Sequence, residues 1–269
     1  MADRRFLLLI LAAVCILGCV ACNGGGDDEP PRTTLTIFAA SSLTEAFEDA
    51  ATEFMARRTD IDVRFNFAGS PTLRTQLDQD AAADVYAAAD VENMQAALAA
   101  GLVLPDARTF ARNALTVIVP ADNPGNVHLL SDLGKQSLRI VMAAPEVPAG
   151  RYTLKVLDKI AEDDGFVPGL REMVLANVVS QEPNVKSVVA KVQLGEADAG
   201  IVYVSDVTPE IDDDVDSVEI PLDYNIEAAY PVAITSNAAE PEAAQAFIDF
   251  LLSDEGQDIF EVRGFERAS

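Results

Sequence analysis

Polar and apolar positions along this chain alternate between two rhythms. Short β-branched runs such as Leu35-Thr36-Ile37-Phe38 read as strands, and each gives way to segments with apolar residues at helical spacing. After the first run, Leu43, Ala46, Phe47, Ala50 and Phe54 line one face of a helix. The same reading predicts strands over 34–39, 62–68, 85–88, 114–119, 139–143, 199–204, 218–221 and 230–234. It predicts helices over 43–57, 71–79, 91–100, 151–162, 185–194, 241–252 and 254–262. Strands alternating with helices indicate an α/β protein with mostly parallel sheets. There is no internal repeat and no long linker, so any second lobe is joined by short crossings.

The junctions between the two rhythms carry the chemistry. Ser42 stands where a helix N-cap belongs, and Glu45, three residues on, completes a capping box. As a cap alone Ser42 needs no ligand, since Ser is a preferred residue there. A helix start with free backbone N–H groups and hydroxyls is also an anion site. The layout recurs. Phe65 to Gly69 leads into Ser70, with Pro71 at the first helical position, where its missing N–H is harmless. Pro148-Ala149-Gly150 opens the helix bearing Leu154, Leu157 and Ile160. Asn184 caps a helix whose apolar stripe is Val185, Val188, Val189 and Val192. In open α/β sheets ligands bind beyond the carboxyl ends of the strands, so four such starts can converge on one anion.

The chain begins with Arg4-Arg5 and an apolar run to Leu17, the pattern of a secretory signal and shorter than the roughly 20 residues of a membrane span. All three cysteines, Cys15, Cys19 and Cys22, lie in or just after this run. Ile16-Leu17-Gly18-Cys19 resembles a bacterial lipobox, which makes Cys19 (or Cys22) a candidate for lipidation. Residues 1–22 therefore read as signal and lipobox, and 23–33 as a flexible tether. A net charge of −25 argues against nucleic-acid binding, which needs clustered cations. The run Asp212-Asp213-Asp214-Val215-Asp216 lacks the Gly and terminal Glu of a calcium loop and reads as a solvated turn.

Taken in order, Ala39-Ala40-Ser41-Ser42-Leu43-Thr44, Ala68-Gly69-Ser70-Pro71-Thr72-Leu73, Ala83-Asp84-Val85-Tyr86-Ala87-Ala88-Ala89-Asp90, Val147-Pro148-Ala149-Gly150, Asn184-Val185-Lys186 and Gly200-Ile201-Val202-Tyr203 resemble the molybdate-binding proteins of ABC transporters. The resemblance runs from Leu35 to Phe265. It implies a two-lobed periplasmic-binding-protein fold (type II), each lobe a mixed, mostly parallel sheet flanked by helices. Residues 34–113 with 231–269 would form one lobe and 114–230 the other, hinged near Ala114 and Tyr230. It also implies the ligand set: Ser42 and Ser70 from one lobe, and the backbone N–H groups of Ala149 and Val185 with the Tyr203 hydroxyl from the other. Pro71, where many relatives carry a small polar residue, leaves one N–H fewer at its helix start. The implied protein is a monomeric receptor without a cofactor, exported and lipid-anchored or periplasmic, that passes molybdate or tungstate to a membrane permease and its ATPase.

Molybdate and tungstate offer only acceptor oxygens, so donor-only groups match them and a carboxylate would repel them. Sulfate shares that chemistry at a smaller size, and an organic anion or ferric ion stays open as an alternative cargo; iron would favour tyrosines such as Tyr203, Tyr224 and Tyr230 with carboxylates. A serine hydrolase is the remote alternative. The sole histidine, His128, lies in an expected loop, and no G-x-S-x-G elbow occurs.

Overall fold

The computed structural model describes residues 32–268. The expected signal segment, Cys19, Cys22 and the tether as far as residue 31 lie outside the described residues. Thr33, expected to end the tether, instead opens the first strand.

Two mixed sheets, each flanked by helices, make up a two-lobed α/β fold. The first sheet holds β1 (Thr33–Ala40), β2 (Ile61–Ala68), β3 (Val85–Ala87), β4 (Arg108–Asn113), β10 (Ala228–Ile234) and β11 (Glu266–Arg267), in the order β11-β4-β10-β3-β1-β2. The second holds β5 (Leu115–Pro120), β6 (Ile140–Ala143), β7 (Val178–Glu182), β8 (Ala199–Tyr203) and β9 (Val215–Glu219), in the order β7-β6-β8-β5-β9. Pairing is parallel where strand–helix–strand units supply the strands, at β1 with β2 and β3 and at β6 with β7 and β8. The remaining pairs, built on the strands nearest the crossings, are antiparallel.

Two crossings link the sheets. Ala114 alone separates β4 from β5, and residues 220–227 return the chain from β9 to β10. The Asn225 amide pins one crossing to the other: its Oδ1 accepts the Leu115 N–H at 3.0 Å and its Nδ2 donates to the Leu115 carbonyl at 2.8 Å.

The helices follow the apolar stripes. On the first sheet lie α1 (Thr44–Arg57), α2 (Ser70–Asp78) and α3 (Val91–Ala99), and late in the chain α7 (Pro241–Leu251) and α8 (Asp254–Val262). Phe47 is the hub of this core, with edge-on contacts to Phe65, Phe110, Phe247 and Phe260. Such pairs contribute about 0.5–1.5 kcal/mol each beyond burial. The terminal segment thus packs onto the first lobe. A second cluster, with Phe38, Leu73, Tyr86 and Met94, lies beneath α2 and α3. On the second sheet α4 (Pro148–Ala161) and α6 (Val185–Gln193) bury Val156, Leu157, Val188 and Val192, and the short α5 (Leu170–Ala176) follows α4.

Candidate functional site

Each predicted site residue sits at a strand end or a helix start. Ser42 lies in a single 3-10 turn, Ser41–Leu43, inserted between β1 and α1. This turn overturns the capping box. The helix proper starts at Thr44, neither N-cap position makes a side-chain capping bond, and Glu45 instead reaches Lys186. The physical reason is the tight turn, which moves Ser42 ahead of the helix and frees its hydroxyl for the Tyr230 hydroxyl, 3.1 Å away.

Ser70 is the first residue of α2, after Gly69 at the N-cap. Its Oγ accepts the Ala89 N–H at 3.0 Å, which leaves its own O–H to donate elsewhere. Its carbonyl accepts from the Tyr86 hydroxyl at 3.0 Å, tying the helix start to β3. Ala149 is the second residue of α4, behind Pro148. Val185 is the first of α6, where the Asn184 side chain caps the helix by accepting the Ser187 N–H at 2.9 Å, as expected. The amides of Ala149 and Val185 lie in first helical turns, where N–H groups have no intrahelical partner, and the positive end of the helix dipole favours an anion.

Tyr203 ends β8. Its hydroxyl is buried and has no hydrogen-bond partner among the described residues. Burial, chiefly, pushes its pKa well above the ordinary value, so it remains a donor.

The structure brings all five together. One pocket is lined by Ser42, Ser70, Ala149, Val185 and Tyr203, with Ser41, Gly69 and Ala89 between them. Ser42 and Ser70 come from the first lobe, and Ala149, Val185 and Tyr203 from the second. The cavity is only about 10 Å³, close to the space one water occupies, so the lobes stand close on each other. Gly69 permits this approach: a Cβ there would lie 2.4 Å from the Pro183 carbonyl oxygen of the other lobe. Larger clefts of about 540 and 440 Å³ lie elsewhere, around Leu104–Arg108 and between α1 and α8, and both have carboxylates in their lining.

No carboxylate lines the pocket. Asp90, 1% exposed, accepts the Asn93 N–H at 2.9 Å and is ion-paired with Arg151, whose Nε lies 2.8 Å from Glu92. Arg151 is thereby committed to carboxylates of the first lobe. Asp206, behind Tyr203, accepts the Tyr203 N–H at 3.0 Å and lies 3.6 Å from Lys186. Burial pushes its carboxyl up to about 6, with the Lys186 charge opposing. Asp84 accepts the N–H groups of Thr36 and Glu240 and plays a structural part. His128 is exposed and outside the pocket.

Sequence reasoning missed Tyr230 as the partner of Ser42, and missed the Glu45–Lys186 and Asp90–Arg151 pairs that flank the pocket. No local pattern could have found them, because the partners are 61 to 188 residues apart. Arrayed donors without a facing carboxylate can hold an acceptor-only anion and would repel neither of its charges.

Comparison with known proteins gives the same picture. Residues 35–266 match the family model described as bacterial extracellular solute-binding protein. The chain is 31% identical over 264 residues to the molybdate-binding protein ModA of Mycobacterium tuberculosis (strain ATCC 25618 / H37Rv), covering 96% of each chain. It is 32% identical over 238 residues to the molybdate-binding protein ModA of Escherichia coli (strain K12), covering 86% of this chain and 88% of that one. The solved periplasmic molybdate-binding protein of Azotobacter vinelandii superposes with a TM-score of 0.75 at 20% identity, covering 87% of this chain and all of the other, a likeness of fold.

Proposed function

This chain belongs to the bacterial extracellular solute-binding protein family, and from that premise we propose that it is a receptor that captures molybdate, and tungstate with it, between its lobes. It binds and releases its cargo without chemistry, as a transport protein and not an enzyme. The observation that carries the reading is the convergence of Ser42, Ser70, Ala149, Val185 and Tyr203 on one pocket that no carboxylate enters.

Each neutral donor contributes on the order of 1.5–3 kcal/mol when its partner is charged. Their preorganisation in a site shut off from water spares reorganisation on binding. Ser70 and Tyr203 each keep an O–H to donate: Ser70 Oγ accepts from Ala89 with its proton still free, and Tyr203 stays protonated. A ferric ion would need carboxylates or ionised tyrosines, and here burial opposes the ionised forms of Tyr203 and Tyr230.

Lobes of 34–113 with 231–269 and 114–230 are supported by the division of strands between the two sheets, although β10 of the first sheet begins at Ala228, ahead of the second boundary. Ala114 and the Asn225-pinned return segment are the hinge about which the lobes open. The chain works outside the cytoplasm, held by a lipid on Cys19 or Cys22, and as a monomer it presents the loaded, closed form to a permease and its ATPase.

Calorimetry of residues 32–269 with molybdate, tungstate, sulfate and phosphate tests the proposal. Tight binding of molybdate and tungstate with little heat from phosphate is expected; heat from sulfate and none from molybdate would overturn it. Ser42→Ala and Tyr203→Phe should each weaken molybdate binding about tenfold to a hundredfold, and unchanged affinity in both would mean that the site lies elsewhere.

A further inference from the structure

We propose that Arg151 is a positioning residue for anion capture: it reaches from the second lobe to cover the buried Asp90 carboxylate of the first, and so allows a dianion to be enclosed beside a negative charge. This inference rests on the receptor reading and deepens it.

Asp90 directly follows Ala89, which lines the pocket and donates its N–H to Ser70 Oγ at 3.0 Å. The two oxygens of the Asp90 carboxylate have separate tasks. Oδ1 serves the first lobe, where it caps α3 by accepting the Asn93 N–H and an Asn93 Nδ2 hydrogen, each at 2.9 Å. Oδ2 accepts from the Arg151 guanidinium, which stands on α4 two residues beyond Ala149. Arg151 Nε also lies 2.8 Å from Glu92, and Lys155, one turn along α4, lies 3.3 Å from the same carboxylate. Two cations of the second lobe thus face two carboxylates of the first, and the set carries no net charge.

The members of this set are not equal. Asp90 is 1% exposed, whereas the side chains of Glu92 and Lys155 stay about half exposed, and an exposed pair contributes little. A buried carboxylate stripped of its partner is an uncompensated charge in a poorly solvated place. The field of Asp90 reaches the pocket: burial contributes most to the raised Tyr203 pKa, and the Asp90 charge adds to it. An enclosed dianion meets the same field. With Arg151 in place that field is cancelled at its source and the lobes can close. Without it, Asp90 and the dianion repel each other where water screens them least. Arg151 is not part of the pocket lining, so its effect on the anion passes through Asp90.

A double-mutant cycle on the full chain tests this, with molybdate as the probe, affinity read by calorimetry and release by stopped-flow. Arg151→Met should weaken molybdate about tenfold or more, chiefly through faster release. Asp90→Asn removes the charge and keeps an oxygen for the α3 cap. Alone it should leave affinity within about threefold of wild type, and in the Arg151→Met background it should restore affinity to that level. Arg151→Gln takes the place of Arg151→Met in the cycle if the methionine variant does not reproduce the circular dichroism of wild type. A double variant as weak as Arg151→Met alone would mean that Arg151 acts on the anion directly. An Asp90→Asn loss equal to that of Arg151→Met would mean that the pair is only a clasp between the lobes. Either result overturns the proposal and leaves the receptor reading standing. Wild-type protein that gives no heat with molybdate overturns both.

Discussion

Asp206 is the residue whose electrostatics are most exposed to test. It is fully buried, and folding raises its carboxyl from the ordinary 3.8 to about 6 because desolvation outweighs the Lys186 charge. A raised carboxyl favours the folded state in its protonated form. That contribution is complete below about pH 4 and is lost as pH climbs through 6, a swing of roughly 3 kcal/mol. Asp206→Asn keeps an oxygen for the Tyr203 N–H and removes the charge. Urea unfolding should therefore show the variant gaining on wild type between pH 5 and pH 7.5. A difference that stays flat across that range would show that the carboxyl is not held neutral. At the same scale, the five predicted site residues come from the family resemblance, each carried over on a local motif that lies at a strand end or helix start. The hydroxyl partner of Ser42 could not be found this way, because Tyr230 is 188 positions away and no spacing rule joins two strands that meet only in the folded sheet.

The elements show where the pattern was readable and where it failed. Helices with long apolar stripes, such as α4 and α7, end within a few residues of the expected bounds, and α8 spans the expected 254–262. The strand β4 escaped notice because Arg108-Thr109-Phe110-Ala111-Arg112-Asn113 is half polar, and β7, at the sheet edge, mixes Ser180, Gln181 and Glu182 into its run. The seven-residue α5 is too short for a period to declare itself. The capping box failed for a different reason: one extra turn between β1 and α1 moves Ser42 out of register with Glu45. Helix starts also carry a prediction about closure. Gly69 has φ −62°, which alanine accepts, yet a Cβ there would meet the Pro183 carbonyl of the other lobe at 2.4 Å. Gly69→Ala should therefore leave the melting temperature of the ligand-free protein nearly unchanged and weaken molybdate binding at least tenfold by obstructing closure. Undiminished affinity would mean that the lobes bind ligand without coming this close.

Over the whole molecule, ion pairs bridge the lobes, some beside the pocket and one, at Arg263, away from it. Lys186 meets Glu45 at 2.7 Å, Arg151 holds Asp90 and Glu92, Lys155 reaches Glu92 at 3.3 Å, and Arg263 reaches Glu210 at 3.1 Å. The partly exposed pairs contribute only about 0–1 kcal/mol each, whereas Asp90 is buried and would be left an uncompensated charge without Arg151; a pair that joins the lobes resists their parting. Lys186→Met should accordingly speed molybdate release several-fold in stopped-flow at low salt, with a smaller effect at high salt, where the pair is screened. An unchanged release rate would place the bridging pairs outside the opening step. Capture runs the other way. The chain carries a net charge of −25, and the cations nearest the pocket, Lys186 and Arg151, are already neutralised by their carboxylates. An approaching dianion therefore meets repulsion until it reaches the dipolar helix starts. Association should slow as salt is withdrawn, because the long-range field is then least screened. Rates that rise instead would show a local positive potential at the mouth of the pocket strong enough to outweigh the charge of the whole chain.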